Sequence, residues 1–290
     1  MKLAKSKAKD TSFSFKKTLN IGGKLLSLDK PLIMGILNIT PDSFYSDSQF
    51  QSEKDIIDAA STMIEEGAYL LDVGGYSTRP GGREVSKEEE EKRLISTVSL
   101  LSQHFPDILI SADTFRASLA RKAIEAGAHI INDVSGGQID PLMFKTVGQL
   151  KVPYILMHMR GTSRTMQSLT QYDNILKDIT LYFKERISDL VVAGVNDIII
   201  DPGFGFAKTV DQNYELLKNL AYFRMLNLPI LAGLSRKSMI YKSLGTGPEE
   251  ALNGTTVLNT IALLNQASIL RVHDVKAAKE AVTLVQKVLD

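Results

Sequence analysis

Three sets of residues in this chain could share one piece of chemistry. The first is acidic and amide: Asp113 in ILISADT, Asn132 in HIINDVSGG and Asp201 in DIIIDPGFGF. A carboxylate that accepts from both a ring N–H and an exocyclic amine fixes the orientation of a planar heterocycle, and an amide adds a donor and an acceptor beside it. The second set is basic: Lys237 in LSRKS, with Arg271 and His273 in ILRVHDV. Arg271 and His273 stand two apart on an extended run, so both leave the same face and suit a phosphate or diphosphate. The third is Asn38, closing LIMGILN. Its amide oxygen could touch a hard cation such as Mg²⁺ if diphosphate oxygens complete the shell. An isolated Asp at a strand end often caps the next helix or binds loop amides. Three on separate strands point to a ligand.

The elements that must position these residues repeat along the chain. Runs of Ile, Leu and Val read as strands buried on both faces, and a charge at the end of one is costly unless it faces a site. Asp72 in YLLDVGG, Asp133 in INDVSGG and His158 in YILMHMRG also end such runs. Strands are expected at about 31–37, 69–73, 108–112, 129–132, 153–158, 197–201, 229–233 and 268–272. Helices are expected at about 53–66, 86–103, 115–126, 141–149, 173–193, 211–221, 249–265 and 274–289, with SRKS left in a loop. Ser86 stands three positions before Glu89, the spacing of a capping box. Three helices run into strands through the same signal, EEGAYLLD, EAGAHIIND and VAGVNDIIID, a C-capping glycine before a buried run.

Eight strands alternating with eight helices predict a (β/α)₈ TIM barrel, whose site lies at the C-terminal face of the strands. An open doubly wound sheet would carry a GxGxxG after its first strand, and none occurs. The length suits one barrel, so residues 1–290 read as a single domain, with 1–11 a flexible tail and 12–29 an N-terminal β-hairpin around Gly22–Gly23. Two long polar loops, TPDSFYSDSQF and YSTRPGGREVS, read as lids.

A formal net charge of +1 proposes neither nucleic acid nor a membrane surface as a partner, and no run is long and apolar enough for a membrane span. The absence of cysteine removes thiolate nucleophiles and Cys-ligated zinc and fits a reducing cytoplasm. No carboxylate or His cluster promises a self-sufficient metal cage, and no nucleophile–base triad is apparent.

Taken in order, MGILNITPDSF, DVGGYSTRPGG, SADTFRASLA, INDVSGG, LMHMRGTSRTMQ, IDPGFGFAKT, LAGLSRKS, NGTT and ILRVHDV resemble the dihydropteroate synthases of folate biosynthesis, from residue 34 to 275. The resemblance implies condensation of 6-hydroxymethyl-7,8-dihydropterin diphosphate with 4-aminobenzoate by dissociative loss of diphosphate. It implies Asp113, Asn132, Asp201 and Lys237 on the pterin, with Met157 packed against it. Arg271, His273, Asn38 and Thr78 would take the diphosphate, with Mg²⁺ near Asn38. Phe206, Ser238 and Lys237 would border the aminobenzoate, joined by Arg79 and Pro80. Asp113, Asp201, Lys237 and Arg271 would carry catalysis. A homodimer is the implied assembly. A pterin-dependent methyltransferase would share the barrel and the acidic set but has no need of SRKS, RVH or the lids. A non-catalytic pterin-binding paralogue would be expected to lose Lys237 or Arg271. The chain departs from the family pattern at Tyr45, at Ser48–Phe50, at Tyr76 where Glu is frequent, and at Gln266 where Gly is common.

Overall fold

The computed structural model describes residues 16–39, 49–76, 85–162 and 164–289. A two-stranded antiparallel hairpin, β1 (Thr18–Ile21) and β2 (Lys24–Ser27), turns at Gly22–Gly23. Eight parallel strands follow: β3 (Leu32–Asn38), β4 (Leu70–Gly74), β5 (Leu109–Asp113), β6 (Ile130–Asp133), β7 (Tyr154–Met157), β8 (Ile198–Asp201), β9 (Leu231–Ala232) and β10 (Ile269–Val272). Their order is β8-β7-β6-β5-β4-β3-β10-β9. A parallel bridge from Ile200 to Ile230 joins the two ends into a barrel. Around it, among the described residues, lie α1 (Gln49–Glu65), α2 (Lys87–His104), α3 (Ala117–Glu125), α4 (Met143–Leu150), α5 (Ile175–Val192), α6 (Val210–Lys218), α7 (Ser238–Leu244), α8 (Leu252–Leu264) and α9 (Val275–Leu289).

Successive strand residues point to opposite faces, so each strand sends alternate side chains into the barrel and against the helices. Ile33, Leu37, Leu71, Val73, Ile110, Ile131, Leu156, Ile200, Leu270 and Val272 pack outward with the helices in one buried cluster. The other parity, Met34, Leu70, Ile130, Ile155, Ile199, Leu231 and Ile269, fills the barrel interior together with Leu19, Ile21 and Leu28 of the hairpin segment. The hairpin is therefore the plug of the N-terminal mouth. Fully burying a side chain such as Leu19 contributes about 1.5–3 kcal/mol. Following the interior parity toward the C-terminal ends of the strands, the apolar rows give way to Asn38, Asp72, Asp113, Asn132, Met157, Asp201 and Arg271.

The repeated helix-to-strand turn takes one geometry four times. Ala68 N–H reaches the Met63 carbonyl and Gly67 that of Ile64, and the same pair of bonds recurs at Ala128 and Gly127, at Val195 and Gly194, and at Ala267 and Gln266. This is a Schellman cap, which needs a left-handed residue. Gln266 takes that place at φ 69°, so the departure at this position is a helix end closed without glycine. At α2, Ser86 accepts from the Glu89 N–H at 3.2 Å, but the Glu89 side chain pairs with Arg93 rather than completing the capping box.

Two expectations need correction. β9 shrinks to two residues, because Pro229 has no N–H to give the ladder and only its carbonyl is used, by Ile200 N–H at 2.9 Å. SRKS is not wholly a loop: Lys237 is the N-cap of α7 and Ser238 its first residue, and Met239 and Ile240 bury the helix against the core.

Candidate active site

Arg271, on β10, lies between two carboxylates. Its Nε donates to Asp72 Oδ2 at 2.6 Å and its Nη2 to Asp113 Oδ2 at 3.0 Å. Asn132 Nδ2 donates to the same Asp72 oxygen at 3.0 Å. Ring order explains this meeting of residues far apart in sequence: β10 pairs β3, which pairs β4, β5 and β6 in turn. Burial, then the Asp72 carboxylate, pushes the Asp113 carboxyl up to about 8, against the pull of Arg271. Burial pushes Arg271 down, but Asp72 and Asp113 more than offset it and leave it above its ordinary value. A Cβ at Gly74 would stand 3.6 Å from Asp113 Oδ2 and 3.7 Å from Asn38 Oδ1, which places the Asn38 amide at the rim of the same centre. Behind Asp113, buried Glu90 on α2 accepts from the Thr114 hydroxyl at 2.6 Å and Arg116 Nε at 2.8 Å, and so fixes the turn out of β5.

Asp201 and Lys237 form the second corner. Asp201 Oδ1 takes the Gly203 N–H at 2.7 Å, which leaves its other oxygen for a ligand. Burial raises its carboxyl, with Lys237 opposing. Lys237 donates to the Phe204 carbonyl, and its Nζ lies 4.8 Å from the centre of the Phe206 ring. Burial lowers this ammonium to about 8, with Asp201 pulling up and Arg271 pulling down. Without a side chain, Gly233 leaves the two corners in touch: a Cβ there would be 3.9 Å from Lys237 Nζ and 4.0 Å from Arg271 Cβ. His273 N–H bonds Ser235 Oγ at 3.1 Å, tying the strand end to the loop before Lys237.

One side of the mouth is apolar. Phe115, Val134, Met157, Met159, Met166 and Ala207 cluster there, with Tyr76 and Phe206 packed on them. Tyr76 meets Phe115 edge-on at 5.2 Å between ring centres, so at this position the chain has an apolar contact instead of a charge. Flat rings fit such a wall, with Asp113, Asn132, Asp201 and Lys237 available to their polar edges.

The structure thus brings together Asn38, Asp113, Asn132, Met157, Asp201, Phe206, Lys237 and Arg271 around one mouth, with Ser238 and His273 adjoining. Thr78, Arg79 and Pro80 lie outside the described residues, as does most of the first lid. Two strand-end residues go elsewhere. Asp133 has the outward parity and accepts from Ser135 N–H, Ser135 Oγ, Gly137 N–H and Tyr154 OH, the turn-capping role open to any strand-end Asp. His158 also points outward, and its Nδ1 lies 3.1 Å from buried Lys208 Nζ. Lys208 also donates to the Gly203 and Phe206 carbonyls, so it shapes the loop that carries Phe206. Nearby, Arg236 grips Asp274 through Nε at 2.9 Å and Nη2 at 2.7 Å, clamping the turn before Lys237 to the end of β10.

Asp72 was absent from the expected site. Its place at a strand end was a signal, but one shared with Asp133, and only register against the neighbouring strands gives Asp72 the inward parity. Lys208 left no comparable signal, because a lysine in a loop gives no sign of burial.

Among the described residues no group of three or more His, Cys, Asp or Glu side chains could hold a metal ion. A single amide oxygen at Asn38 fits only a cation that takes most of its shell from phosphate and water, as Mg²⁺ does.

Residues 34–273 match the family model described as pterin binding enzyme. The dihydropteroate synthase of Escherichia coli is 43% identical over 269 residues, 92% of this chain and 95% of that protein. A structure of the Xanthomonas albilineans dihydropteroate synthase with 4-aminobenzoic acid superposes with a TM-score of 0.87 at 38% identity, covering 94% of this chain and 98% of the other. A further structure from X. albilineans, with 7,8-dihydropteroate, gives a TM-score of 0.83 at 36% identity over 94% and 98% of the two chains. With the match running from β3 to the end of β10, the chain belongs to the pterin-binding enzyme family, among the dihydropteroate synthases.

Proposed function

We propose that this chain condenses 6-hydroxymethyl-7,8-dihydropterin diphosphate with 4-aminobenzoate, giving 7,8-dihydropteroate and diphosphate. The observation that carries the reading is the pairing of two unlike corners on one mouth: Arg271 held by Asp72 and Asp113, and Lys237 facing Asp201. In this reading Asp113, Asn132 and Asp201 hold the pterin edge and Lys237 its carbonyl side, while Met157 packs on the ring face. Arg271, His273 and Thr78 take the diphosphate. Phe206, Ser238, Arg79 and Pro80 border the arylamine.

The bond between the pterin methylene and diphosphate oxygen breaks, and its electron pair leaves with the diphosphate. Arg271 meets the charge that develops there, a donor already oriented before the reaction. Asp201 offsets the positive charge spread into the pterin ring. The arylamine lone pair then forms the new C–N bond, and the nitrogen gives up one proton, which the departing diphosphate can accept. A neutral arylamine needs no strong base, in keeping with a site that shows no nucleophile–base triad. Asn38 is the residue that would hold Mg²⁺. Bound there, the ion would supply further positive charge to the diphosphate oxygens.

Residues 1–290 act in this reading as one cytoplasmic domain that pairs with a second copy. Exposed Val257 and Leu264 on α8 and Leu284 and Val288 on α9 support the pairing, since outer barrel helices otherwise bury their apolar residues inward. No described helix is long and apolar enough to cross a membrane.

The test mixes purified protein with the pterin diphosphate, 4-aminobenzoate and Mg²⁺. Stoichiometric diphosphate and 7,8-dihydropteroate are expected. Release of neither product under these conditions refutes the reading.

A further inference from the structure

Asp72 touches the two ligand-facing groups most in need of orientation. It is wholly buried, and its Oδ2 accepts both from Arg271 Nε at 2.6 Å and from Asn132 Nδ2 at 3.0 Å. An oxygen that already receives a guanidinium N–H is an acceptor, so the Asn132 atom facing it has to be the amide nitrogen. The Asn132 carbonyl is thereby turned away from Asp72. No described residue donates to that carbonyl oxygen, and, unlike Asp72 Oδ1 and Ser111 Oγ, it is not sealed in without a partner. It is left facing the mouth.

We propose that Asp72 is a positioning residue that locks the Asn132 amide in one orientation, and so selects a heterocycle whose edge carries an exocyclic amine beside an acceptor ring nitrogen. This rests on the reading that the mouth holds a pterin-type ring. The locked amide offers its carbonyl to the amine and its second N–H to the ring nitrogen. A 2-oxo ring inverts that edge, presenting C=O beside N–H. An amide free to rotate about its χ2 bond serves either edge; one held by Asp72 serves only the first. Ser111 stands in register with Asp72 on the next strand. Its Oγ and Asp72 Oδ1 are both buried without a hydrogen-bond partner among the described residues, so Asp72 makes its side-chain hydrogen bonds through Oδ2 alone.

That geometry separates the lock from the charge. In D72N the amide oxygen can accept from both Asn132 and Arg271, and its nitrogen takes the place of Asp72 Oδ1, which has no partner among the described residues, so the lock persists without a negative charge. In D72A and D72L the acceptor is gone. The experiment measures, by calorimetry, the affinity ratio of each protein for pterin against its 2,4-dioxo counterpart. The wild-type chain and D72N are expected to share a preference for the amine within about threefold, and D72A and D72L to lose about tenfold of it, the worth of one hydrogen-bond pattern. D72A and D72L each remove the acceptor, so one of them with a cooperative thermal transition suffices. A merely structural role would weaken both ligands alike and leave the ratio unchanged. An unchanged ratio in the folded acceptor-less variant, or a D72N ratio that falls as far, overturns the proposal. Failure of the wild-type chain to bind pterin at all would instead sink the reading of the pocket.

Discussion

Arg271→Ala removes the cation between two carboxylates, and the structure sets what that costs. The side chains of Asp72 and Asp113 are 0% and 9% exposed, and that of Arg271 is 22% exposed. Taking one partner from a buried pair costs about 3–5 kcal/mol, because the remaining charge stays buried without compensation. Partial exposure of Arg271 lets water reach the vacated space and places the expected loss near the lower limit, about 3 kcal/mol.

The loss depends on pH in a definite direction. With a carboxyl at about 8 in the folded chain, Asp113 holds its proton more tightly there than in the unfolded chain. Its contribution to stability is full below the unfolded value of about 4 and is lost as pH rises through about 8. Arg271 limits that loss by favouring the ionised form. Below the folded value Asp113 carries a proton and has little need of Arg271, so Asp72 bears the cost. Above it Asp113 adds its own share, and the destabilisation is expected to be larger at pH 9 than at pH 6. Urea unfolding of wild-type and variant protein at the two pH values, extrapolated linearly, measures both quantities. A loss below about 1 kcal/mol at both, as for an exposed ion pair, refutes the argument. So does a loss greater at pH 6.

Other outcomes follow from single contacts. Lys237 is lowered to about 8 by burial. Ligand affinity that depends on its ammonium should weaken above pH 8 by up to about tenfold per pH unit, and a Lys237→Met variant should lose that share of the slope in calorimetry between pH 6.5 and 9.5, keeping only the share of Asp113, whose carboxyl also lies at about 8. Tyr154→Phe strips the hydroxyl that donates to Asp133 Oδ2 at 2.7 Å in a buried setting. It should cost about 1–3 kcal/mol by urea unfolding while leaving pterin affinity unchanged, since Asp133 faces away from the mouth. Gln266→Gly should stabilise by about 0.5–1 kcal/mol, because the left-handed strain at this Schellman cap costs more than the added backbone freedom of glycine. A lower thermal midpoint would contradict that account.

Much of the fold was legible because its signals are local. Alternating buried runs and helix patterns located all eight barrel strands to within a residue or two, except β9, where Pro229 shortened the ladder. The helix α7 escaped because it has only seven residues and its N-cap is a lysine that makes no side-chain capping bond. Of the expected site residues within the described chain, the acidic and basic sets met at one mouth because all of them lie at strand ends on the inward parity, or in the loops that follow.

What stayed hidden depends on register and ring closure. Asp72-Val-Gly-Gly and Asp133-Val-Ser-Gly-Gly look alike as sequence, and each ends a buried run. Asp72 pairs in register with Ser111 and points into the barrel, whereas Asp133 pairs with Leu156 and points among the helices. With a period of two, a shift of one residue exchanges the two faces, so neighbouring strands decide which carboxylate meets Arg271. The sequence by itself determined that a ring of strands would end in carboxylates, amides and cations. Only the closed barrel, by setting β10 beside β3 and β4 beyond it, decided that Arg271 would find Asp72, 199 residues earlier, and that Asp72 would hold Asn132.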